Sequence, residues 1–287
     1  MTDLQLHVRD HGGEGPPLLL LHGAGRSHAD WDDAVPSLLP HHRVLAADLP
    51  GHGASPACAP GGWSFEATTE AVDAALSAHG AADALPVGHS LGGIVAAHLA
   101  ANRPGTPAAV NLDGFWWGGT GSDEDRERIG EIVRASAGAV APAEYLSQQR
   151  AHAGRFGIAA ERAERTARAA ARQLPDGRWQ TLPERDTALA LYDALDALDL
   201  FALFRRAKCP LLLVRAERAQ PPGPPGMEWF EAFLAEYREE LTRSLAGLCE
   251  DRPQTVTVTG FDGTHAMLLE EPEKVASAIG EFAAGVR

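Results

Sequence analysis

The feature that most constrains this chain is a set of short apolar runs in which no polar residue alternates. PLLLL (17–21), RVLAA (43–47), ALPV (84–87), AAVNL (108–112) and PLLLV (210–214) are such runs. Side chains leave a strand toward its two faces in turn, so a run that is apolar throughout needs cover on both faces. LQLHV (4–8) and QTVTV (254–258) complete the strand-like set, and helical patterns fall between them at 30–39, 66–79, 91–102 and 272–284. This alternation predicts an α/β fold with a doubly wound, mostly parallel open sheet. Pro86 fits a central strand poorly, because it has no N–H to give to a ladder.

The alternation stops between Asp113 and Lys208. SDEDRERIGEIVRAS, PAEYLSQQRAHA and AAERAERTARAAARQL read as helices, with Glu161/Arg165 and Glu164/Arg168 spaced as i,i+4 pairs. LPDGRWQTLP reads as a hairpin turning at Asp176-Gly177. The expected organisation is a core of residues 1–113 and 207–287, a helical cap at 114–206, and a further helical insertion at 220–252 within the core.

Charge and cysteine usage exclude several function classes. The 39 acidic against 25 basic residues give a net charge of -14, which repels a phosphate backbone and argues against nucleic acid. Cys58, Cys209 and Cys249 are odd in number and scattered, with neither zinc-ligand spacing nor a disulfide framework, so no metal is expected. MTDLQLHVRDHGG lacks the basic start and apolar stretch of a secretory leader, and no apolar run approaches a membrane span. A soluble cytoplasmic monomer or homodimer acting on a small molecule is the expectation.

The junction of the run at 84–87 with the helix at 91–102 carries the chemistry. Gly88-His89-Ser90-Leu91-Gly92 fits Gly-x-Ser-x-Gly. A sharp strand–turn–helix thrusts such a serine up at the sheet edge, and its neighbours two residues away must be tiny. Gly88 and Gly92 meet that demand, and Gly93 lets the helix pack closely. A serine hydroxyl needs a base to become a nucleophile. His265, in FDGTHAMLLEEPEKVA, follows the last strand and precedes the last helix, so it can reach the same edge. The anion that forms on attack needs backbone donors. The glycine-rich loop His22-Gly23-Ala24-Gly25 can offer the Ala24 N–H, and Leu91 N–H lies just past the serine.

With these segments in view, the sequence resembles serine hydrolases of the α/β-hydrolase superfamily. The resemblance rests on LLLHGAG, DLPGHGAS, VGHSLGG and GTHAMLLEEP, which span nearly the whole chain in the family's order. It implies a Ser–acid–His triad, an oxyanion hole at Ala24 and Leu91, a cap at the position of the insertion, and no cofactor. Related sequences often carry the acid a few residues past the strand matching PLLLV, where this chain has Ala219. Two candidates stand in its place. Asp113 ends the strand after the nucleophile helix, where some members of the superfamily place the acid, and Glu217 lies two positions before Ala219. Asp113 is the favoured candidate and Glu217 the alternative.

Phe115, Trp116 and Trp117 follow Asp113 directly, Trp229 opens the second insertion, and Met267 follows the histidine. Together they suggest an apolar, aromatic substrate pocket. Asp48 and His52 are read as ordering their own loop. The expected activity is hydrolysis of a carboxylic ester or lactone through an acyl-enzyme. The rival readings are a carbon–carbon hydrolase, an acyltransferase or a hydroxynitrile lyase on the same frame, or a non-catalytic ligand receptor.

Overall fold

The computed structural model describes residues 4–59, 61–116, 122–223 and 226–286. The chain forms β1 (Val8–Gly12) and β2 (Pro17–Leu21), then a 3-10 turn (His28–Trp31), α1 (Val35–Leu38), β3 (Arg43–Ala47), α2 (Phe65–Ala78), β4 (Leu85–His89), α3 (Leu91–Asn102) and β5 (Ala109–Leu112). Next come α4 (Asp123–Ser136), β6 (Ala139–Val140), α5 (Pro142–Arg155), α6 (Ala160–Ala169), β7 (Ala171–Gln173), β8 (Trp179–Thr181), α7 (Arg185–Asp196) and α8 (Leu200–Arg205). β9 (Leu211–Ala216), α9 (Glu228–Asp251), β10 (Val256–Phe261), α10 (Met267–Glu270) and α11 (Pro272–Gly285) follow.

Seven strands form one sheet in the order β1-β3-β2-β4-β5-β9-β10. β1 is antiparallel to β3, and the other neighbours are parallel. The period of two explains why the inner runs are apolar throughout. Leu19, Leu21, Leu45 and Ala47 enter a core on one face with α2, α3, α8 and α9. Leu18, Leu20, Val44 and Ala46 enter the core on the other face with α1 and α11. α3 is apolar but for His98 and its last residue, Asn102, and is buried from Leu91 to Ala101, which suits a helix enclosed on every side. Pro86 is tolerated because the ladder from β4 to β5 starts one residue later, at Val87.

The edge strands depart from the sequence-based expectation. Residues 4–7 are irregular and the first strand is Val8–Gly12, with a register shift between Asp10 and Gly12. The last strand runs from Val256 to Phe261, not 254–258, in register with all of β9. Both edges carry polar, partly exposed side chains, so hydrophobic pattern marks their limits poorly.

Between β5 and β9, α5 and α6 make small apolar clusters, one of Tyr145, Leu146 and Ala167 and another of Ala153, Ile158 and Ala163. β7 and β8 form the hairpin expected around Asp176-Gly177, and β6 adds a third strand that sequence pattern did not indicate. α7 and α8 bury Leu191, Leu195, Leu203 and Phe204 in the same core as α3. The expected 220–252 insertion is mostly the long helix α9, which buries Leu241, Leu245 and Leu248 in that core.

The chain turns from β2 to β3 on one side and reaches β4 on the other. α1 and α3 therefore cover opposite faces, and the chain leaves β2 and β4 toward different sides of the sheet. Such a switch point opens a crevice at the carboxyl ends of the strands.

Candidate active site

Ser90 sits in that crevice, at the turn between β4 and α3, with φ 54° and ψ -120°. This is a costly backbone for a residue with a Cβ, on the order of 1–3 kcal/mol, so the surroundings must impose it. They do so through contacts on both sides. Ser90 N–H donates to Leu112 C=O at 2.9 Å, and Gly92 N–H donates to His22 C=O at 3.1 Å. A Cβ on Gly88 would collide with the backbone of Gly92, and one on Gly92 would collide with the backbone of Leu21.

His265 lies between β10 and α10. Glu270 accepts from Thr264 N–H at 2.9 Å and Thr264 Oγ1 at 2.8 Å, and Thr264 Oγ1 accepts from Ala266 N–H at 3.1 Å. His89 Nε2–H donates to the His265 carbonyl at 2.7 Å. These bonds hold the loop so that His265 Nε2 lies 3.1 Å from Ser90 Oγ. On the other side of the ring, Nδ1 lies 2.7 Å from Asp113 Oδ2.

Asp113 ends β5 at φ 51°, a left-handed conformation that Asp tolerates better than most residues. Its N–H donates to Val214 C=O at 2.7 Å, and its Oδ1 accepts from Ala216 N–H at 2.8 Å. Burial pushes its pKa up, but the hydrogen bond and charge of His265, together with the Ala216 N–H, outweigh this and hold it below the usual value. An ionised Asp113 is an acceptor for the Nδ1 edge of the ring, and the Nε2 edge is turned toward Ser90. Glu217 is placed differently. Its N–H pairs with Phe261 C=O, and its exposed side chain lies across Gly260 on β10. No hydrogen bond joins it to His265 among the described residues.

Ala24 shares the cavity wall with Ser90, and Leu91 is the first residue of α3. Neither amide is taken up by an acceptor among the described residues. The loop holding Ala24 is fixed by His22, whose Nδ1–H donates to Gly23 C=O at 2.7 Å while Nε2 accepts from Leu49 N–H at 2.9 Å. Burial, with His52 adding repulsion, pushes His22 down to about 3, so the ring is neutral. Asp48 accepts from His28 N–H, the His28 ring and Ala54 N–H, and so orders the loop after β3. His7, His28 and Asp48 are the candidate metal-ligand cluster among the described residues, and that carboxylate is already engaged by the loop.

A cavity of about 200 Å³ opens beside Ser90 and His265. Its apolar wall includes Phe156, Ile158, Leu268 and Leu269, and its polar wall includes Arg26, Asp30, Gln149 and Thr166. The aromatic residues expected to line the pocket lie elsewhere. Phe115 meets Phe204 edge-on at 6.2 Å, and Trp116 Nε1–H donates to Asp196 at 2.7 Å. Trp229 packs on Phe230, with Arg128 over its ring, and Met267 is fully buried in the core on the face of α1. Trp117 lies outside the described residues. Adjacency to Asp113 or His265 in the chain does not fix side-chain direction, and core packing claims Phe115 and Met267.

Sequence reasoning passed over His89 and Glu270. His89 is the variable position of its motif, and only the structure shows its ring 5.0 Å from that of His265. Burial, then the charge of His265, pushes His89 down to about 3, so it is a neutral donor. Glu270 belongs to an acidic cluster that reads as solvated surface until its two bonds to Thr264 are seen.

A family model described as "Alpha/beta hydrolase family" matches residues 18–278. The chain is 41% identical over 110 residues to Lipase LipV of Mycobacterium tuberculosis, covering 38% of this chain and 41% of that protein. It is 42% identical over 99 residues to the pimeloyl-[acyl-carrier protein] methyl ester esterase of Vibrio vulnificus, covering 34% and 35% respectively. The chain thus matches well under half the length of these curated relatives. Among solved structures, E-2-(acetamidomethylene)succinate hydrolase superposes with a TM-score of 0.75 at 23% identity, covering 97% of this chain and 95% of that one. At that identity the likeness speaks for the fold.

Proposed function

Because the chain belongs to the alpha/beta hydrolase family, we propose that it is a serine hydrolase that cleaves a carboxylic ester or lactone through an acyl-enzyme. The observation that carries this reading is the continuous chain Ser90 Oγ–His265 Nε2, 3.1 Å, and His265 Nδ1–Asp113, 2.7 Å. The names of the relatives, a lipase and a methyl ester esterase, agree with it.

In the proposed reaction Ser90 Oγ attacks the ester carbonyl as His265 Nε2 takes its proton. The carbonyl oxygen, now anionic, accepts from Ala24 and Leu91 N–H, each worth about 3 kcal/mol of barrier. Asp113 holds the imidazole in the right tautomer and faces the imidazolium that forms. The C–O bond breaks, and the departing alkoxide takes the proton from His265. Water then enters, gives a proton to His265 and attacks the acyl-enzyme. Collapse returns the proton to Ser90 and releases the acid. The stretch from α5 to α6 acts as a cap over the serine, supplying Phe156 and Ile158 to the cavity.

A fluorophosphonate should label Ser90 in the native protein, and Ser90→Ala should lose both the label and the hydrolysis of short p-nitrophenyl esters. A native protein that resists labelling and does not turn over such esters would point to a ligand receptor instead.

A further inference from the structure

The polar wall of the cavity contains a cation whose bonding capacity is only partly used. Arg26 lies on the loop that carries Ala24, two residues on. Its Nε donates to Asp30 Oδ2 at 2.7 Å, and its Nη2 donates to Asp30 Oδ1 at 2.8 Å and to Thr166 Oγ1 at 3.1 Å. A guanidinium carries five N–H groups, and these three bonds leave both N–H groups of Nη1 without an acceptor among the described residues. Asp30 is 3% exposed and the Arg26 side chain 24%, and both residues line the cavity. Gln149 and His152 line the same cavity and take no hydrogen bond among the described residues. Of the polar side chains around this cavity, the charged one is locked in orientation by a buried carboxylate and a fully buried threonine, with Nη1 left over.

We propose that Arg26 recognises a carboxylate carried by the substrate, so that this site takes short esters bearing a free acid group. The inference rests on the esterase reading above. An oxygen anion on Nη1 sits across the guanidinium from Asp30, so attraction to the near cation exceeds repulsion from the far carboxylate. Guanidinium geometry suits a carboxylate, and the fixed side chain loses little entropy on binding it. The cavity, about 200 Å³, sets the limit to a short chain. Gln149 and His152, which line the same cavity, supply further polar contacts.

The test compares kcat/KM for two isosteric pairs at neutral pH. Monomethyl glutarate against methyl glutaramate places the acid on the acyl side, and acetoxyacetate against acetoxyacetamide places it on the alcohol side. We expect a preference of about tenfold or more for the acid in one pair, which also tells which side of the ester Arg26 meets. Arg26→Met should bring that ratio to about one, and Arg26→Lys should keep it above the Met variant's. A ratio near one in both pairs for the native enzyme overturns the proposal, as does a preference that Arg26→Met leaves intact. Ratios cancel any general loss of activity in a variant. Fluorophosphonate labelling of Ser90 reports separately on the esterase reading, so a labelled enzyme with no acid preference sinks only the inference about Arg26.

Discussion

Asp113 carries two demands at once: a left-handed backbone at φ 51° and a carboxylate that bridges Ala216 N–H and His265 Nδ1. Asparagine tolerates the same backbone, so Asp113→Asn isolates the charge. It should lower kcat by on the order of 10⁴, the size found when the triad acid of a serine protease is amidated. Glu217→Gln should change kcat less than about twofold, since an exposed side chain across Gly260 touches no reacting group. The reverse pattern in steady-state assays would move the acid to Glu217. This position was only half legible in the sequence. The strand end and chain order pointed to Asp113, but nothing local separated it from Glu217, because the choice depends on how β5 and β9 sit beside the histidine loop. His89 was less legible still, since its partner is a backbone carbonyl 176 residues away.

Elements differ in how openly the sequence announces them. β2, β3 and β9 were plain because both of their faces are buried, which leaves only apolar residues eligible. β1 and β10 slid from their expected limits because an edge strand is constrained on fewer sides. The pocket wall was the least legible, because α5 and α6 are charged helices that turn a few apolar residues inward. What docks α6 is also electrostatic. Arg162 and Arg165 both meet Asp33, and Arg165 also reaches Asp32. These groups are partly exposed, so the cluster is worth about 1 kcal/mol. Asp33→Ala should accelerate hydrogen exchange over α6 about fivefold, by that energy, and leave exchange over α3 unchanged. Equal exchange over α6 in both proteins would show that apolar packing alone holds that helix.

At the scale of the molecule, acid should loosen the fold through its histidines. Burial pushes His22 and His89 down to about 3 and His52 to about 4. In the unfolded chain these rings take up protons near their ordinary pKa, about 6.5. The unfolded state therefore binds more protons below that pH, and stability falls as pH drops from there toward the folded values. Each ring contributes up to about 1.4 kcal/mol per pH unit. His28 works the other way, since its bond to Asp48 raises its pKa, but it is one ring against six, because burial also lowers His11, His98 and His152. Urea midpoints should therefore decrease from about pH 7 to about pH 5. His52→Gln should flatten that slope by about one proton. A midpoint that rises toward acid, or a slope unchanged in the variant, would rule this out.

Asp113 and His265 meet across 152 residues of chain, and β10, which leads into the histidine loop, pairs with β9 alone among the described residues. During synthesis the turn of Ser90, the loop of Ala24 and most of the sheet exist before His265 has been made. Under the proposed mechanism, a growing chain on the ribosome, or a fragment cut before residue 265, therefore carries Ser90 without its base, and the triad closes only when the final strand takes its place at the margin.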